Sequence, residues 1–478
     1  MTTSQRDRYN LPLSTSSQLA VDNYVQGVDL VLSGNVGGEE RLEQAIQSDG
    51  GFALAHAALA AVDLRWQHFD SARDHADAAR TLVAGASRRE QQHVAVIAAM
   101  VDGQGAQALA LSREHLDDFP SDGYILQQYI GLRRGPGCRE VSAAILETIE
   151  ALEPAYGDDW FYAGTRSFQL HELNRFEESR RYAERSLAGN PRNGNAAHNM
   201  AHCFYETADY VGGLDFLNDW IVEYHPDAPH YSHLNWHKAL FDLTQGRYQN
   251  SYDIYRETIR PSVLKQDIGG LGPPLADATS LFWRYRLYGS PLERSDDWRE
   301  IDAFAGAVAA GPRTAFYDAH CALSFAATGN DGAMAALIDG LRAVVDLGHA
   351  LTAEVTLPLV LGIEAFGRGA YGETVDYIAP VFDELVRLGG SQAQRMVFEE
   401  TLLRAYMLSG RVEQAEKLLR RRLEHRHSGR DFFWLAEADS SRGLLDAAET
   451  THRQARSLWS VADPDAPELA RLARTGDA

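Results

Sequence analysis

Apolar residues recur along this chain at helical spacing, in pairs of segments joined by short turns. The stretch from Trp160 to Pro191 is the clearest unit. Phe161, Phe168 and Leu170 mark a first helix, and Asn174, Arg175 and Phe176 mark a turn. Tyr182, Ala183 and Leu187 then share one stripe of a second helix, which stops at Asn190-Pro191. Small residues, Ser179, Ala183 and Ser186, stand where two helices must approach closely. The next units place their turns near Asp209-Tyr210 and at Gln245-Gly246-Arg247-Tyr248. AFGRGAYGETVDYI, LSGRVEQAEKLLRRRL and SSRGLLDAAETTHRQA repeat the style downstream, and FALAHAALAAVDLRWQHFDSARDHADAARTL reads as an Ala-rich hairpin upstream. No segment alternates with a period of 2 over a useful length, which predicts a chain without strands.

Pro120, Pro154, Pro191, Pro226 and Pro261 follow one another at spacings of 34, 37, 35 and 35. A period near 34 is the mark of tetratricopeptide-type helix pairs. Each proline is expected to close its unit, because it cannot continue the second helix. The pattern therefore predicts an all-α fold: one TPR-like solenoid of degenerate helix-turn-helix repeats over residues 1–478. Within it, 1–155 reads as divergent helical hairpins, 156–430 as core repeats and 431–478 as capping helices. The stretch Asp267 to Pro274, DIGGLGPP, breaks the helical run. It lacks the lysine and the preceding strand of a phosphate loop, and is expected to be a structural loop at a change in repeat geometry.

Composition narrows the class. With 45% hydrophobic residues in 478, a large core is feasible. No apolar run approaches the length of a membrane span, and the polar N-terminus lacks the apolar core of a signal peptide, so a cytoplasmic protein is expected. Cys138, Cys203 and Cys321 are far apart and odd in number, which argues against a disulfide framework or a thiolate zinc site and for free buried thiols. The net charge of −22 repels phosphate backbones and anionic lipid, so neither nucleic acid nor a membrane is the expected partner.

The histidines add chemistry to this scaffold. His198 and His202 follow Pro191 by 7 and 11 residues, and His233 and His237 follow Pro226 by the same 7 and 11. Residues four apart share a helix face, so two adjacent first helices should present paired imidazoles to one side. Glu206 extends the first pair by one more turn. Two functional readings fit: a divalent metal such as Zn or Fe held by His198, His202, His233 and His237, or a polar pocket using imidazoles as general acids and bases. The zinc-protease pattern is not met, because position 199 is Asn. The alternative is a purely structural network of histidines within a repeat interface. Trp236 is a pocket wall or a core residue. His225 and His230 flank Pro226 and Pro229 and are expected in a solvated loop.

Further along, Asp277 either favours a helix start or reaches the histidine face. Asp318 and His320, two apart, are expected to serve different partners. Gly389-Gly390 should break a helix and Ser391 should cap the next, leaving Gln394 and Arg395 in its first turn. Arg395 would then be available to an anionic group.

Five motifs, HNMAHCFYE, HLNWHKALFDLTQGRY, DATSLFWRYRLYG, FYDAHCALSFAATG and GGSQAQRMVFEETLL, resemble in order and spacing the tetratricopeptide repeat protein 38 family, over about residues 160 to 430. The resemblance implies an all-helical fold of degenerate repeats, with a biochemical role that the family itself leaves poorly defined. The matching positions are His198, His202, His233, Trp236, His237, Asp277, Trp283, Arg284, Asp318, His320, Gln394 and Arg395. Family members often carry His where this chain has Gln392, and a small apolar residue at Asn199.

Three functions are carried forward. The first is a small-molecule pocket lined by His198, His202, Glu206, His233, Trp236, His237, Asp277, Arg284, Asp318, His320, Gln394 and Arg395, with His202, His237, Asp318 and His320 as catalytic candidates if a reaction occurs there. The second is a scaffold binding a peptide or protein on its concave face, although the inner face lacks the lysines of a carboxylate clamp. The third is a metal-dependent enzyme. Bringing His198 near Arg395 requires a strongly curved or ring-like solenoid. Oligomeric state and reaction are not encoded in these patterns.

Overall fold

In the computed structural model, which describes residues 5–134, 141–266, 274–310 and 314–475, the chain is an all-helical solenoid of antiparallel helix pairs. Cys138 and the expected loop at 267–273 lie outside the described residues.

Local rules set the repeat. The helices Trp160–Glu172 and Gly194–Glu206 are each 13 residues long. Each starts on a side-chain cap: Asp159 accepts from the Tyr162 amide, and Asn193 accepts from the Asn195 and Ala196 amides. Between Trp160–Glu172 and Phe176–Gly189 the chain turns through Asn174 in the left-handed region (φ 60°). The small residues foreseen at the crossing do close it: the hydroxyls of Ser167 and Ser179 each donate to the other's carbonyl at 2.8 Å, and Ser186 donates to the Trp160 carbonyl at 2.7 Å.

Two expectations need correction. A two-residue antiparallel ladder joins Gln5–Arg6 to Pro12–Leu13, too short to leave a period in the sequence. Pro261 does not end its helix. Tyr255–Ile259 widens into a π-helical turn, and the helix Arg260–Lys265 continues through the proline. Thr352–Thr356 widens in the same way just ahead of Pro358. The wider turn makes room for a pyrrolidine ring that would otherwise press on the carbonyl four residues earlier.

The solenoid curls until distant repeats touch. The end of the Gln18–Leu32 helix meets the start of Gly194–Glu206, where the Gly194 amide donates to the Ser33 carbonyl at 2.8 Å and Asn195 donates to the Leu32 carbonyl at 2.8 Å. The Tyr224 hydroxyl donates to the Gly34 carbonyl beside them. At the other end, Trp459 donates to the Thr244 carbonyl at 2.8 Å, and Tyr248 meets Glu468 at 2.6 Å. The helix Gln392–Leu408 locks across Pro274–Tyr288 through Trp283–Thr401 at 2.9 Å and Arg284–Glu400 at 3.0 Å. One buried apolar cluster runs from Leu13 to Tyr162 and a second from Ala183 to Leu472. Cys203 and Cys321 are buried thiols, and Cys321 Sγ donates to the Ala305 carbonyl at 3.4 Å. Among the described residues no helix is long and apolar enough to cross a membrane.

Candidate functional site

The paired histidines converge. His198 and His202 on Gly194–Glu206, and His233 and His237 on Tyr231–Thr244, bring one ring nitrogen each within 4.8 Å of all the others. His198 Nε2 stands 2.9 Å from His202 Nε2 and 3.0 Å from His233 Nε2. His233 turns Nδ1 to Asp277, 2.9 Å from both carboxylate oxygens, and Trp236 stacks on its ring at 5.0 Å. Asp277 thus reaches the histidine face from Pro274–Tyr288, fixing the tautomer that leaves His233 Nε2 free of its proton.

Proton counting exposes a conflict. A neutral imidazole carries one N–H. With Nδ1–H of His233 given to Asp277, both contacts of His198 Nε2 cannot be ordinary hydrogen bonds: a single proton on His198 serves one, and a proton from His202 leaves the contact with His233 lone pair to lone pair. His237 is buried with neither nitrogen hydrogen-bonded, and His202 Nδ1 is likewise without a partner. Each such group costs about 1–3 kcal/mol when nothing satisfies it. Burial, reinforced by the neighbouring imidazoles, pushes His198, His202 and His237 well below the usual imidazole range, so these rings are neutral at pH 7.

Two more imidazoles complete the group, neither of them anticipated. The His171 ring lies 4.6 Å from that of His202. His230 is a correction: it is buried rather than solvated. It stacks on His198 at 5.0 Å, meets Asn195 Oδ1 at 2.8 Å, and burial lowers its pKa to about 3. It does occupy the turn before Tyr231–Thr244. The closing N-terminal helix covers that turn, with Gly34 (φ 67°) so near that a Cβ there would meet the His230 ring at 3.1 Å. His225 is exposed, as expected.

His198, His230 and His233 open onto a cavity of about 390 Å³ whose walls come from both halves of the chain. Among the described residues four arginines line it, Arg65, Arg134, Arg387 and Arg395, against one carboxylate, Glu172. Arg387 is paired with Glu354 at 2.7 Å. Arg395 is held 3.7 Å from Glu172 and donates to the carbonyls of Gly389 (3.2 Å) and Gly390. Arg65 has only Gln127, at 3.3 Å, and burial lowers its pKa. The Arg134 guanidinium lies 4.1 Å over the Phe168 ring. Among the described residues, neither Arg65 nor Arg134 has a carboxylate within ion-pair distance. Ser391 caps the helix as foreseen, and Gln394 completes a capping box with it at the rim, which occupies the Gln394 side chain.

The remaining candidates stand elsewhere. Arg284 is buried and occupied by Glu400 and by the carbonyls of Ser280 and Ala393. Glu206 is buried with one oxygen unpaired, and burial raises its pKa; it is not one of the four converging ligands. Asp318 is buried and does not line the cavity. His320 sits between Phe316 and Phe398, and its Nδ1 meets the Phe316 carbonyl at 2.8 Å.

His320 carries a pH prediction. Burial lowers its pKa from 6.5 to about 4. The unfolded chain therefore takes up a proton near pH 6.5, while the fold resists until about pH 4, and stability is lost as pH falls through that window. At about 1.4 kcal/mol per pH unit the loss through this residue is about 3 kcal/mol. Urea unfolding of wild type and His320→Leu at pH 7 and pH 4 is expected to show a gap that shifts by this amount in favour of the variant at the lower pH. A gap independent of pH would remove the effect.

No protein-family model matches the chain. Among solved structures, human IFIT1 with PPP-AAAA is 11% identical over 91% of this chain and 95% of that chain, with a TM-score of 0.43. YrrB, a TPR protein with an unusual peptide-binding site, is 14% identical over 38% of this chain and 92% of its own, at 0.25. A tetratricopeptide repeat protein from Parabacteroides merdae is 12% identical over 57% and 98%, at 0.37. These are distant superpositions, and the repeat class stands on the helix pairs of the chain itself.

Proposed function

We propose that this chain is a TPR-like repeat protein of the tetratricopeptide repeat protein 38 kind whose inner cavity binds a small anionic molecule. The observation that supports the reading is the charge of the wall. In a protein of net charge −22, the described wall of one cavity carries four arginines and a single carboxylate. Guanidinium groups without a carboxylate partner, as Arg65 and Arg134 are among the described residues, attract carboxylate or phosphate oxygens, and an arginine offers them a two-pronged donor. A cavity of this size accommodates a metabolite rather than a folded partner. The enclosed imidazoles would hold or polarise such a ligand as neutral donors and acceptors.

A thermal-shift screen of metal-free protein with citrate, succinate and inorganic phosphate tests the reading. At least one probe should raise the melting temperature in wild type, since a ligand at 100 times its Kd adds about 2.7 kcal/mol. Arg65→Met/Arg395→Met should abolish the shift while retaining the helical circular dichroism spectrum. No shift with any probe, or an equal shift in the double variant, refutes anion binding in this cavity.

A further inference from the structure

The geometry points to a transition-metal site formed by His198, His202, His233 and His237, one ion with zinc-like tetrahedral preference, with Asp277 as the residue that positions His233. This goes beyond anion binding and does not depend on it.

Three independent features carry the inference. The first is geometry. Four Zn–N bonds of about 2.0–2.1 Å in a tetrahedron set nitrogens about 3.3 Å apart. The nitrogens here begin at 2.9 and 3.0 Å and all fall within 4.8 Å, so small ring rotations suffice. The second is proton balance. With neutral rings the contacts of His198 Nε2 to His202 (2.9 Å) and to His233 (3.0 Å) cannot both be hydrogen bonds, and His237 keeps both nitrogens buried and unbonded. A central cation takes one lone pair from each ring, which removes the conflict and gives His237 a partner. The third is support. The carboxylate–histidine contact of Asp277 leaves Nε2 as the donor atom, and Trp236 fixes the plane of the same ring.

A second cluster with similar ligand spacing shows what a non-site looks like. His93, His115 and Asp122 also converge, but Arg89 already bonds Asp122 at 2.7 Å and supplies the positive charge. Among the described residues no lysine or arginine hydrogen-bonds the four histidines. His198 and His233 also line the cavity, which gives an ion a route to them.

The test uses full-length protein without a histidine tag, stripped with a chelator and titrated with Co²⁺. Wild type should bind one equivalent and develop the intense visible bands of a tetrahedral centre, displaced on adding Zn²⁺. His202→Ala/His237→Ala should lose them with its helicity unchanged. Asp277→Asn should keep the band positions but weaken binding about 10–100-fold. No tetrahedral bands in wild type, or the same bands in the double variant, would overturn the site, and an unchanged affinity in Asp277→Asn would overturn the positioning role. If the double variant fails to fold, the wild-type spectrum and stoichiometry together with a His198→Gln single variant decide. The anion screen uses metal-free protein and different residues, so either reading can fail alone.

Discussion

Glu400→Ala is expected to destabilise the protein by about 3–5 kcal/mol, because it leaves the guanidinium of Arg284 buried without its counter-ion. The two side chains meet at 3.0 Å and are 1% and 3% exposed. No other carboxylate comes within ion-pair distance of Arg284 among the described residues. Its remaining bonds go to the carbonyls of Ser280 and Ala393, which offer dipoles and no charge. Glu400→Gln should cost less, since the amide oxygen still accepts from Arg284. Trp283→Phe removes the indole bond to Thr401, about 1 kcal/mol, and adds the cost of the space that the smaller ring leaves at this buried position. Urea unfolding followed by circular dichroism ranks the three, and a loss below 1 kcal/mol for Glu400→Ala would mean that water or a neighbour compensates Arg284. The same contacts fasten Gln392–Leu408 against Pro274–Tyr288, and the first turn of that helix carries Gln394 and Arg395 to the cavity rim. A loosened clasp should therefore weaken anion binding as well, through residues that never touch the ligand.

That clasp shows what the sequence could and could not disclose. The helix pairs were legible because their signals are local: a cap at Ser391, turns at Asn174 and Gly246, and a proline period near 34. The histidine pairs were legible for the same reason, since spacing of four on a helix fixes a shared face and equal offsets in neighbouring repeats align two faces. Arg284 was misleading. Its place among the motif residues suggested a ligand contact, whereas its partner Glu400, 116 residues away, gives it a clasping role.

The cavity wall was hidden because it forms only on closure. Arg65 and Arg134 come from N-terminal hairpins with no motif, and they face His198 because Gln18–Leu32 packs onto Gly194–Glu206. His230 was misplaced by a rule that is sound locally: two nearby prolines do make a turn there, but the solenoid folds back over it. One partial signal existed. With helices offset by 34, Gly164 and Phe168 occupy the places of His198 and His202 in the preceding repeat. The glycine lets Ser186 and Asn193 approach to where a Cβ would lie 3.0 and 3.3 Å from them, and the aromatic ring supplies the surface on which Arg134 lies.

Asp122→Ala should produce a loss as large, about 3–5 kcal/mol, from the other core. One oxygen of this buried carboxylate takes Arg89 at 2.7 Å, His93 at 3.1 Å and His115 at 3.2 Å; the other caps Gly123–Arg133 at the Ile125 amide. Burial alone would raise its pKa, but Arg89 and the two imidazoles outweigh burial and hold it well below the usual carboxylate range. A depressed carboxylate contributes stability that is complete above the unfolded pKa, near 3.9, and is lost only as pH falls below that value. The deficit of Asp122→Ala should therefore persist across neutral pH. Asp122→Asn separates the parts: it can still cap the helix, a contribution of about 1 kcal/mol, but leaves Arg89 with Asp7 alone, at 3.1 Å. If Asp122→Asn were as stable as wild type, the cap rather than the charge would be the dominant contribution. Because Gly123–Arg133 carries Gln127 and Ile130 in the cavity wall and leads directly to Arg134, a charge buried far from the histidines governs how firmly that wall is held.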